Sequence, residues 1–119
     1  MIPDELRPLL QEAIDRAGGM YTLESIEEAV NACRMQLWFS TDKSAVVVTQ
    51  VGTYPETKVL WVLLAAGTLD GIMSIQERGR RWAKGHGISR MVMDGRMGWD
   101  RVLPRYGWEK HCIRYSLKV

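Results

Sequence analysis

Residues 58–66, KVLWVLLAA, are the feature that most constrains how this chain can fold. The longest apolar run of the sequence, Val59 to Gly67, stops far short of the ~18 residues a membrane-crossing helix needs, and its length suits a strand. A strand that is apolar at successive positions has no face to give to water. It belongs in the centre of a sheet with a layer on each side. The following segment supplies one such layer. Gly71 to Lys84 reads as an amphipathic helix, with Ile72, Ile75, Gly79, Trp82 and Ala83 on one side and Glu77, Arg80, Arg81 and Lys84 on the other. Gly85-His86-Gly87 ends it with residues that tolerate a positive φ, and Ser89 to Asp94 reads as a second strand. A strand, a helix and a strand in one sheet make a right-handed parallel crossover.

The chain before this unit has a different rhythm. Leu6, Leu9, Leu10, Ala13, Ile14 and Ala17 fall on one stripe of a helix, with Pro8 tolerable only in its first turn and Gly18-Gly19 as its stop. Thr22 is placed to cap a second helix carrying Leu23, Ile26, Val30 and Cys33 on one face, with Glu24 near its positive end. Met35–Ser40 and Ala45–Thr53 are rich in β-branched and aromatic residues and are joined by the turn Thr41-Asp42-Lys43-Ser44. Tyr54-Pro55-Glu56-Thr57 turns the chain into the central strand. Beyond Asp94, a short helix with Trp99, Val102, Leu103 and Tyr106 inward leads to a last strand, Trp108–Val119. The expected order is α-α-β-β-β-α-β-α-β, an α+β fold with a mixed central sheet. No linker or repeat divides residues 1–119, so one domain is expected. Trp99 and Trp108 should pack the final helix onto the sheet, and Trp38 and Trp61 are expected to meet across it.

Composition narrows the function classes. With 119 residues, 46% of them apolar, the chain can bury a core and is not of disordered type. Its net charge of +2 is too small for a nucleic-acid footprint, although Arg78, Arg80, Arg81, Lys84 and Arg90 cluster and could form either a solvated face or an anion or partner patch. The start is polar and acidic (Asp4, Glu5), without a hydrophobic signal segment, which suggests a cytoplasmic protein. Cys33 and Cys112 have no metal or redox spacing and are expected to be buried thiols; His86 and His111 are isolated. No Ser-His-Asp or Cys-His arrangement can be assembled.

Three pieces of the second half go together: Trp82-Ala83-Lys84, the stretch GRMGWDRVL over 95–103, and Tyr106-Gly107-Trp108-Glu109. With the element order, they resemble the GNAT acyltransferase fold from about Leu6 onward, and most closely the small GNAT-like proteins of tailed bacteriophages. The resemblance implies a GNAT-like domain lacking the usual first strand, with the terminal hairpin reduced to one strand. It also implies an acetyl-CoA site at the start of the helix after the central strand. There, free amides and the helix dipole would meet a pyrophosphate. The residues concerned are Ala66, Gly67, Thr68, Leu69, Asp70 and Gly71, with Arg78 within reach of a ribose phosphate.

This chain departs from the pattern in ways that bear on activity. The leading Gln or Arg of the phosphate loop is absent, the glycine spacing differs, and Asp70 would both cap the helix and repel a diphosphate. The family's general acid falls at Leu103, which has no proton to give; Tyr106 is the neighbouring candidate. The central strand has no acid. Glu56 lies in the turn before it, and Asp94 reads as a cap or turn former beside Gly95 and not as a base. Two functions are therefore expected to compete: a GNAT-like protein with a degenerate site that works by binding a protein, as an accessory or internal virion component, or an active acetyl-CoA-dependent N-acyltransferase. Without a first strand, Met35–Ser40 should form an uncovered sheet edge open to a partner or a second copy.

Overall fold

The computed structural model describes residues 2–119. A 3-10 turn, Asp4–Leu6, runs into α1 (Arg7–Arg16), followed by α2 (Leu23–Asn31). Thr22 caps α2 as expected: its hydroxyl accepts from the Ser25 amide (3.0 Å), and the Ser25 hydroxyl accepts from the Thr22 amide (2.9 Å). Strands β1 (Gln36–Phe39), β2 (Ala45–Thr53) and β3 (Lys58–Gly67) follow, then α3 (Leu69–Gly85) and β4 (Arg90–Met93). The sheet runs β1-β2-β3-β4, antiparallel through the first three strands and parallel between β3 and β4.

The sheet has a helix layer on each face, as the apolar β3 demands. On one face Leu6, Leu10 and Ile14 from the first turns and Ile26 from α2 pack against Val46, Val48, Leu64 and Ala66. On the other, Ile72 and Ile75 of α3 meet Ala45, Val47 and Val62, while Ala83 and Trp82 meet Leu60 and Met91. Gly79 brings the helix close to the sheet; a methyl there would lie 3.6 Å from Met91 Cε.

Several expectations fail for local reasons. The final helix is two 3-10 turns, Met97–Arg101 and Leu103–Tyr106. Pro104, in the first turn of the second, has no amide to continue a helix through this point. The last strand does not form: Trp108–Val119 takes no regular secondary structure and pairs with no strand. Trp38 and Trp61 do not meet, because β2 lies between their strands. Trp38 instead packs edge-on against Trp82 at 5.8 Å, and Trp61 donates to the Tyr54 hydroxyl (3.2 Å). Both cysteines are exposed, not buried. Cys33 sits at φ 59 in the turn after α2, and Cys112 lies in the unpaired tail.

Candidate functional site

The end of β3 and the start of α3 form one corner with the β1–β2 turn. Gly67 has φ +118, and a methyl on it would lie 2.1 Å from the Ser44 carbonyl oxygen and 2.5 Å from Ala45 Cα. Gly71 is similarly confined, with its Cβ position 2.7 Å from Ala45 Cβ. Gly67 thus lets the Ser44–Ala45 backbone, and Gly71 the Ala45 and Ser44 side chains, close onto the helix start. The Thr68 amide donates to the Ser44 carbonyl (3.0 Å), and the Thr68 hydroxyl accepts from the Gly71 amide (3.1 Å). The cap of α3 is therefore Thr68 and not Asp70, which is exposed in the first turn. Capping belongs to the residue just before the helix, and Asp70 already lies inside it, where its charge still suits the dipole.

A polar chain continues outward from this cap. The Ser44 hydroxyl lies 3.0 Å from that of Thr68 and donates to Asp42 Oδ1 (2.7 Å). The same carboxylate oxygen accepts from the Ser44 amide (3.0 Å) and the Ser40 hydroxyl (2.9 Å). The Ser44 hydroxyl bond, then the Ser44 amide and the Ser40 hydroxyl, hold the Asp42 carboxyl below the usual range.

The second part of the site is the gap between β3 and β4. Their pairing stops at Val62 and Met93, while β3 continues to Gly67. Beside this gap, between α3 and the sheet, Trp99, Leu103 and Trp108 help line a cavity of about 40 Å³. Its walls include Trp38, Val62, Ala65, Ile75 and Met93, and its polar lining residues are Thr49 and Gln76. Gln76 fastens the lid: its Oε1 accepts from the Trp108 indole (2.8 Å) and its Nε2 donates to the Tyr106 carbonyl (3.2 Å). Thr49 is buried and satisfied, accepting from the Trp38 indole (2.9 Å) and donating to Gln36 Oε1 (2.8 Å).

The fold brings Ala66, Gly67, Thr68, Leu69, Asp70 and Gly71 together at this corner, with Ala66 in the core and Leu69 exposed. Arg78 lies elsewhere: its guanidinium donates to the Phe39 carbonyl at the end of β1. Tyr106 is exposed and lies outside the cavity wall, whereas Leu103 is part of it. Asp94 pairs with Arg114 in the tail and takes no cap role, since Arg96 precedes the next 3-10 turn. Arg80 and Arg81 stay on the exposed face, where they bond Glu77 (4.0 Å to its carboxylate and 3.4 Å to its carbonyl). Among the described residues no three His, Cys, Asp or Glu side chains gather for a metal ion, and no helix is long and apolar enough to cross a membrane.

A mixed four-stranded sheet between helix layers, opened between two parallel strands, with a helix starting at the opening, is the architecture of the GNAT-type acetyltransferases. Solved structures support this. The chain superposes on a probable acetyltransferase with a TM-score of 0.74, 98% of this chain covering 91% of that one at 12% identity. An acetyltransferase of Trypanosoma brucei gives 0.69 over 100% of this chain and 97% of the other at 8% identity. An aminoglycoside acetyltransferase from an uncultured soil metagenomic sample gives 0.67 over 97% and 86% at 12%. No family model and no curated protein matches the sequence. At these identities the likeness is one of fold.

Proposed function

We propose that this chain is a GNAT-fold protein whose acetyl-CoA site is degenerate and which acts by binding another protein. One observation carries the reading: the corner that should receive a pyrophosphate is taken by the chain's own groups. The Thr68 amide goes to the Ser44 carbonyl (3.0 Å) and the Gly71 amide to the Thr68 hydroxyl (3.1 Å). Gly67 admits the Ser44–Ala45 backbone, and Gly71 the Ala45 and Ser44 side chains, instead of a ligand. Asp70, and Asp42 behind Ser44, add negative charge where a diphosphate would have to sit. Beside the β3–β4 gap, Trp99, Leu103 and Trp108 close over the space between α3 and the sheet and leave a cavity of about 40 Å³ there. At 10–15 Å³ per water, that is room for a few water molecules. The residues present do not fit the cofactor.

The partner's entry point in this reading is the outer edge of β1, which among the described residues pairs only with β2 and is covered at the Phe39 carbonyl by Arg78. The resemblance of the 82–109 motifs to phage GNAT-like proteins supports an accessory or internal virion role, in host cytoplasm or virion. A second reading, an active N-acyltransferase, draws on the stretch of β3 beyond Val62 that β4 leaves unpaired, the kind of opening an acyl-CoA chain needs.

Calorimetry with acetyl-CoA separates the two. The native chain should bind more weakly than ~0.1 mM, about −5.5 kcal/mol, and Asp70→Gly should improve binding several-fold by removing a like charge. Micromolar binding by the native chain with turnover of a test amine, lost in Tyr106→Phe, would sink the degenerate-site reading.

A further inference from the structure

The net charge of +2 hides a division of charge across the sheet. The α3 side of the molecule, residues 69–119, carries eleven Arg or Lys against five Asp or Glu; the α1–α2 layer, residues 4–34, carries three against seven. The two groups lie on opposite faces, since α1 and α2 pack on one side of the sheet and α3 on the other. Positive charge is densest over 78–105, with seven Arg and Lys84 against Asp94 and Asp100. All eight cations are exposed, and the two acids are already paired, Asp94 with Arg114 and Asp100 with Lys110. Part of this group is contiguous. Arg80 and Lys84 follow Gln76 at four-residue steps along one stripe of α3. The Gln76 bond to the Tyr106 carbonyl sets Arg105 beside that stripe, and Arg81 adjoins Arg80 on the exposed side. Among the described residues Lys84 and Arg105 meet no carboxylate, and Arg80 reaches Glu77 only at 4.0 Å.

We infer that this α3 face binds the phosphate backbone of a nucleic-acid duplex, without reading its sequence. What the face lacks narrows the occupant. A protein partner wants an interface centre depleted of charge, a lipid surface wants apolar side chains to sink below its headgroups, and a single strand wants several aromatic platforms. Among the described residues from 70 to 106, the only large apolar side chain exposed is Tyr106. A face of charge alone suits a duplex backbone, where affinity comes from released counterions. The choice of cation points the same way. Seven of the eight are Arg, whose planar fork takes two phosphate oxygens at once. The molecule measures 39 × 36 × 30 Å, so its long side lies along about ten base pairs at roughly 3.4 Å each. The acidic α1–α2 layer is repelled by the same backbone and fixes which side of the protein turns toward it. This inference does not depend on the reading of the cofactor corner.

Fluorescence anisotropy with a labelled DNA duplex of about 20 base pairs tests it. With Arg80, Arg81, Lys84 and Arg105 on phosphates, log K should fall against log salt with a slope of about −3.6, at about 0.9 per contact. Lys84→Gln and Arg105→Gln should each make that slope shallower by about 1 and weaken binding several-fold at low salt. Arg34→Gln removes the same charge from the acidic layer, where Arg34 stands 4.0 Å from Glu28, and should leave the slope as it is. All three residues are exposed, so the fold should stand in each variant. No binding at low salt overturns the inference. So does an equal loss in Arg34→Gln and Lys84→Gln, which would mark net charge and not this face. Tighter binding to polyglutamate, to phosphatidylserine vesicles or to the single strand than to the duplex overturns it as well.

Discussion

Gly67 shows how one residue can carry two opposite readings. In the sequence it is the glycine of a phosphate loop, needed for close approach of a ligand. In the structure the close approach is made by the Ser44 carbonyl, 2.1 Å from where a methyl would stand. Gly67→Ala should therefore unfold at lower urea, with a loss above about 2 kcal/mol, because both φ +118 and the Ser44 backbone oppose it. Gly98→Ala, with open space around it, should stay within about 0.5 kcal/mol of the native chain. A large loss at Gly98 or none at Gly67 would contradict this account. Asp42 makes the corner acid-sensitive. Its folded pKa is depressed by the Ser44 and Ser40 bonds, so its stabilisation is complete above the unfolded value of about 4 and fades as pH falls through the lower folded value. Asp42→Asn should flatten the acid limb of the stability curve below about pH 4 and lower stability at pH 7, read by denaturant midpoints across pH. The Asp42–Ser44 turn was legible as a turn. Its contact with Thr68 was not, because that contact joins two distant segments and leaves no local pattern.

Elements were legible in proportion to how much of their apolar face the fold buries. β2, β3 and α3 lie within a residue or two of where alternation and helical period put them, since both faces of β3 and one face of α3 enter the core. The region after Met93 misled because its pattern promises more than the single chain can satisfy. Trp99, Leu103 and Trp108 are indeed inward residues, but they close a cavity from 3-10 turns, and Pro104 breaks the helix that their spacing suggests. What holds this region is Gln76, a polar residue on an otherwise apolar helix face, and nothing in the sequence marks it. Gln76→Ala leaves the Trp108 indole and Tyr106 carbonyl without their partner. It should cost roughly 1–3 kcal/mol and shift tryptophan emission to the red as the lid loosens. Unchanged fluorescence with native stability would mean that the lid is held by apolar packing alone.

At the scale of the whole molecule, the buried central strand is flanked on both sides, so the sheet's unmet pairing lies at its periphery. β1 ends the sheet on one side. Ser40 donates to the Ala45 carbonyl (3.1 Å), so by alternation Ser40, Trp38 and Gln36 bond inward, and Leu37 and Phe39 direct their backbone groups outward. Arg78 covers one of these groups, the Phe39 carbonyl. The residue that resemblance assigns to a ribose phosphate is thus placed as a cover on an open edge, one of the ways proteins discourage unwanted strand pairing. Arg78→Ala separates the two roles. If Arg78 is an edge cover, its removal should cost no more than about 1 kcal/mol of stability and should raise concentration-dependent association through β1, seen as a rising weight-average mass in light scattering. It should leave the weak affinity for acetyl-CoA unchanged. A fall in that affinity with no change in association would return Arg78 to the anion site.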